Sequence, residues 1–192
     1  MKSNLIKWHV LPFSLLMVVA SCNNQGSTEA SKTDTSTTNT PAPENSAIKA
    51  QDQQFLKDVV AGNLGEIKMA QLAQQKAANK DVKDLGQMLE KDHSAVLSEL
   101  RSYASQKNIE VPAVETQEAK DAYNEFTKKS GKEFDKDWCD LMEKKHKDGI
   151  SKFEGLANEA DADPELKSIV NKTLPTLRSH LDHVMQCKNK LK

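Results

Sequence analysis

Met88-Leu89-Glu90-Lys91-Asp92-His93 and Leu141-Met142-Glu143-Lys144-Lys145-His146 are near copies of one pattern, and their reading decides the fold. In each, an apolar pair precedes a Glu, and a His follows that Glu three positions later. On a helix, His93 falls one turn after Leu89 and His146 one turn after Met142, so both rings lie on apolar stripes. A helix buries such a stripe, and the imidazoles go into the core with it.

Around the first copy, Val82, Leu85, Leu89, Val96, Leu100 and Tyr103 predict a helix over 80–107, capped by Asn79 and stopped before Pro112. Upstream, Phe55, Val59, Gly62, Met69, Ala70 and Ala73 predict a helix over 53–78, with Asp52 as its N-cap. Glu66 stands in the middle of that stripe, where a carboxylate is costly unless paired. The second copy lies on a stripe of Phe134, Trp138, Met142, Gly149, Phe153 and Leu156, and Ser130-Gly131-Lys132-Glu133 reads as a capping box opening that helix. Asp163-Pro164 is an N-cap followed by proline at the first helical position, starting a helix with Leu166, Val170, Leu174, Leu177, Leu181 and Val184 inward. Pro175 is expected to kink it. His180 lies on the flank of this stripe, and His183 points away.

Strand signals are absent, and 113–130 reads as a connector with weak helical character. The expected fold is all-α, an antiparallel four-helix bundle over residues 51–192. The connector admits either a simple turn or a lengthwise crossover.

With 27 Lys+Arg against 28 Asp+Glu, the chain offers no electrostatic reason to bind nucleic acid. At the N-terminus, Lys2 and Lys7 precede an apolar run from Val10 to Ala20 that is too short to span a bilayer. Residues 1–21 read as a secretory signal peptide ending Val19-Ala20-Ser21 before Cys22, which resembles a bacterial lipobox. Cys22 would be acylated and become the first residue; the alternative is an ordinary signal beside a free cysteine. Residues 22–50, rich in Ser, Thr, Asn and Pro, are expected to form a disordered tether with an r.m.s. reach of roughly 30 Å. The expected location is the cell envelope, on the outer membrane and facing the periplasm.

Antiparallel helices joined by a tight turn bring residues equidistant from the turn to one level. Glu66 and His93 both lie about 20 Å from the turn near Asn79, and His146 and His180 both lie about 25 Å from the turn near Asp163. All four are near mid-helix, so they share a layer whichever way the connector runs. This layer is the candidate site: Glu66, His93, His146 and His180, with Asp92 close behind them. Two readings stay open, a metal centre built from imidazole and carboxylate, and a Glu–His network that only fixes bundle register. Cys139 and Cys187 share a level too, each seven residues from its histidine. Either they form a disulfide, which an oxidising envelope favours, or they stay two packed thiols.

Phe55, Glu66 followed by Leu72-Ala73, Asp92-His93, Ser130-Gly131 with Phe134-Asp135, His146, and Leu174-Pro175 before His180 resemble the bacterial domain of unknown function 4142 family. These pieces cover essentially all of 52–185 in the family's order, with Trp138 where the family usually has Tyr. The resemblance implies membership of the ferritin-like superfamily and the label of predicted outer-membrane protein. Ferritin-like di-iron proteins place Glu-x-x-His on two helices and a lone Glu on each of the others. Here Glu90 and Glu143 point off the core face and His180 comes with no inward Glu, so the carboxylate-rich site is not reproduced. The histidine-rich set suits a single transition-metal ion, zinc, copper or nickel ahead of iron.

The leading expectation is therefore a metal-binding envelope lipoprotein, and the alternative is a non-catalytic interaction or stress-related module. Hydrolytic chemistry is disfavoured, because there is no nucleophile–His pair of recognisable spacing and no glycine-rich phosphate loop.

Overall fold

The computed structural model describes residues 48–191. Within them the chain forms α1 (Ala50–Lys76), α2 (Lys80–Gln106), α3 (Gln117–Phe126), α4 (Gly131–Asn158) and α5 (Pro164–Lys190). The signal peptide, Cys22 and most of the tether lie outside the described residues.

The long helices pair as two hairpins, α1 with α2 and α4 with α5. Side-chain contacts fix how the hairpins dock. At one end, the Asp135 carboxylate of α4 accepts from the Ala78 and Asn79 N–H groups in the α1–α2 turn, at 3.0 and 2.8 Å. Lys190 near the end of α5 pairs with Asp81 at 2.8 Å at that same end. At the other end, Asp52 of α1 accepts from the Asp163 N–H at 2.8 Å, and Lys107 reaches Asp163 and Glu165 at 3.5 and 3.1 Å. Hence α2 and α4 run parallel, and the segment between them travels the length of the bundle. The connector is a lengthwise crossover.

Part of that crossover is α3, which lies along α1 at Gly65. A Cβ there would sit 2.7 Å from the Ala119 Cβ, so the close approach needs a residue without a side chain. Lys68 holds the buried Glu115 carboxylate at 2.5 Å and fastens the start of the segment.

The core has two apolar clusters. Phe55, Leu56, Val60, Leu100, Tyr103, Phe153, Leu166 and Val170 fill the end nearer Asp163. Leu72, Val82, Leu89, Phe134, Trp138, Met142 and Val184 fill the end nearer Asn79. The polar layer lies between them.

Two local expectations are corrected. Asp52 does not cap α1: Lys49 is at that position, and the Asp52 carboxylate is engaged with Asp163, 111 residues away. Ser130 does not close a capping box, since Gly131 enters α4 with φ of 60° and the Ser130 side chain makes no cap bond. α5 keeps Pro175 inside a single helix from Pro164 to Lys190. Asn79 and Asp163 do cap their helices, accepting from Asp81 N and from Glu165 N and Leu166 N.

Candidate metal centre

Between the two apolar clusters, His93 of α2, His146 of α4 and His180 of α5 bring their rings together with centroids 5.3–5.5 Å apart. All three are buried, and one ring nitrogen from each lies within 4.8 Å of those of the other two. His146 Nε2 and His180 Nδ1 are 3.3 Å apart. Glu66 of α1 joins at the edge of this triad, its Oε2 3.3 Å from His93 Nε2.

The other nitrogen of each ring is held from outside. His93 Nδ1–H donates to Asn63 Oδ1 at 2.9 Å, and the Asn63 amide is itself oriented by donating to the Val59 carbonyl at 3.0 Å. His146 Nδ1–H donates to the Met142 carbonyl, one turn earlier, at 2.9 Å. His180 Nε2–H donates to Asp92 Oδ2 at 3.0 Å. Each outer partner is an acceptor, so each fixes the tautomer of a neutral ring. The consequence is geometric. His93 Nε2, His146 Nε2 and His180 Nδ1 all present lone pairs toward one region, and the Glu66 carboxylate adds another.

Such a set repels itself unless a cation is shared. A proton between His146 and His180 would relieve one contact, but His93 Nε2 would still face a carboxylate, and it has no hydrogen-bond partner among the described residues. A metal ion relieves both contacts at once. At bonds of about 2.0–2.1 Å, ligands on a tetrahedral ion are about 3.3–3.4 Å apart, which matches both 3.3 Å separations. Burial also favours neutral rings at His180 and His93: it pushes His180 down to about 4 and lowers His93 as well, against the opposing pull of Asp92 and Glu66.

Asn63 was not evident from the sequence as a member of the site. Its signal was its place one turn after Val59 and three residues before Glu66, which puts it on the inward side of α1. His183 is exposed, with Nδ1 turned back to the Ser179 carbonyl at 2.8 Å. Glu90 and Glu143 face away from the triad, Glu90 held by Gln71 and Gln74 and Glu143 by Lys147 and Lys188.

Two turns along, Cys139 and Cys187 are buried free thiols with sulfurs 3.8 Å apart. The hydrogen bond to Cys187, together with burial, pushes the Cys139 thiol well above its ordinary range. No helix of the described residues is long and apolar enough to cross a membrane.

The family model described as a domain of unknown function (DUF4142) matches residues 37–187. No curated protein matches the chain. Among solved structures, the chain is similar to a crystal structure of a DUF305 fragment from Deinococcus radiodurans, with a TM-score of 0.66 and 10% identity over 74% of this chain and 98% of that one. At that identity the likeness concerns the fold alone.

Proposed function

The chain belongs to the domain of unknown function 4142 family, and we propose that it is a membrane-anchored envelope lipoprotein whose ferritin-like bundle binds one divalent transition-metal ion. His93, His146, His180 and Glu66 would hold the ion, and Asn63, Met142 and Asp92 orient the rings. The observation that carries this reading is the convergence of three tautomer-fixed lone pairs in a buried layer, with the unpartnered His93 Nε2 beside a carboxylate. Three imidazoles and one carboxylate are borderline-soft donors, which suit zinc, copper or nickel better than the oxygen-rich sets that hold magnesium or calcium. The lengthwise crossover supports the ferritin-like assignment, because that topology carries one such connection.

The test is calorimetric titration of the metal-free chain with zinc at pH 7.5 and pH 5. Protons compete with the metal for the imidazole nitrogens, but burial holds His180 at about 4, so the affinity should fall by less than about tenfold between these two pH values and steeply only as pH approaches about 4. Stability of the metal-free chain follows the same direction. Because burial makes His180 resist protonation in the folded chain, it contributes stability that is present above the unfolded value of about 6.5 and is lost as pH falls toward about 4, on the order of 3 kcal/mol in total. Absence of zinc binding at pH 7.5 would leave only a register-fixing network.

The anchoring part of the proposal rests on Val19-Ala20-Ser21-Cys22. Cys22→Ser should move the protein from the outer-membrane fraction to the soluble envelope fraction. Unchanged sedimentation with the membrane would refute acylation at that residue.

A further inference from the structure

The histidine layer is not sealed. A cavity of about 160 Å³ opens from the surface between α1 and α4 and reaches His93, His146, His180 and Glu66. Gly62 and Gly149 line it, both in mid-helix and both on apolar stripes, where a large side chain would otherwise pack. A Cβ at either position would meet nothing within 4 Å. Glycine inside a helix is less stable than alanine, so two of them spend stability while leaving this space open. His93, His146, His180 and Glu66 all line this one cavity, so an ion held between them would face it.

We propose that this cavity is a subsite for a small uncharged molecule carrying one lone-pair donor atom, bound to the metal as a fifth ligand beside the four protein donors. The inference rests on the metal reading above. Size follows from the volume: a cavity of about 150 Å³ accommodates benzene, so the occupant has about six heavy atoms or fewer. Lack of charge follows from the surroundings. The two charges of a divalent ion are matched by Glu66 and by Asp92 behind His180. At the rim Asp58 is paired with Lys152 at 3.0 Å, Asp148 with Lys144 at 2.6 Å and Lys145 with Glu118 at 3.4 Å, so no unpaired charge draws an anion inward. Val59, Val96, Phe153 and Leu177 supply apolar walls. The Lys152–Asp58 pair joins α4 to α1 across the mouth, and an exposed pair of this kind opens readily.

The experiment uses the full chain loaded with cobalt(II), whose visible spectrum reports its coordination, and imidazole at pH 8 as the neutral probe. Imidazole should shift the visible bands saturably while cobalt stays bound after desalting. Gly149→Leu and Gly62→Leu should keep the cobalt spectrum and weaken the imidazole response at least tenfold. Gly62→Val replaces either one if circular dichroism shows a disturbed fold, and Gly155→Leu, at an exposed position on α4, should respond like wild type. A cobalt spectrum indifferent to imidazole overturns the subsite and leaves the metal centre standing; no cobalt spectrum overturns both. An unaltered imidazole response in the cavity-filling variants overturns the route. Azide acting at lower concentration than imidazole overturns the uncharged class.

Discussion

His146→Ala should reduce zinc affinity more than 100-fold, whereas His183→Ala should leave it unchanged. His146 has both nitrogens committed in the layer, Nδ1–H to the Met142 carbonyl and Nε2 toward His180 Nδ1 at 3.3 Å. Outer partners of metal-binding histidines are worth about 10–100-fold in affinity, so removing a ring that itself contributes a donor exceeds that range. The alanine also opens a void in the core, because His146 is only 1% exposed. His146→Gln therefore accompanies it, a variant that refills the volume without restoring the imidazole. Equal zinc binding by His146→Gln and wild type, with far-UV circular dichroism unchanged, would dismiss the centre.

Oxidising Cys139 and Cys187 to a disulfide should raise the melting temperature by roughly 10 °C. Their sulfurs are 3.8 Å apart in adjacent antiparallel helices, and a bond requires about 2.05 Å, an approach within reach of small side-chain rotations. Two thiols lose two protons and two electrons, and an added small-molecule disulfide accepts the electrons by exchange. The bond would close a loop of 48 residues, worth about 3–4 kcal/mol in the chain-entropy model. For a domain of this size that energy corresponds to the stated shift. Thiol titration of the denatured, unreduced chain measures the bond directly, and two free thiols per chain after treatment would exclude it.

The helices were legible because their stripes repeat every three or four residues, and the site was largely legible because His93, His146 and Glu66 interrupt those stripes with groups that burial penalises. Asn63 was less visible, since an asparagine beside a glycine in a helix reads as a polar surface position until the ring it orients is known. The Met142 contribution is a backbone carbonyl and leaves no trace in residue type. Asp52 was misread for a related reason. An aspartate near a helix start is ordinarily a cap, and only the three-dimensional fold shows its partner to be Asp163. The direction of the connector was illegible outright, because its length suits both paths and only pairs such as Asp135 with Ala78 decide between them.

The crossover also acts as a leash. His93 belongs to one hairpin and His146 and His180 to the other, so the three rings meet only when the hairpins are docked. A tether of this length holds two bodies at an effective concentration on the order of millimolar, so hairpins with an intrinsic affinity of about 1 mM would already be half associated. From that starting point each ~1.4 kcal/mol gained across the seam multiplies the docked population tenfold. Contacts such as Asp92 with His180 and Lys190 with Asp81, modest one by one, are placed where small energies have the greatest leverage on the population that is whole.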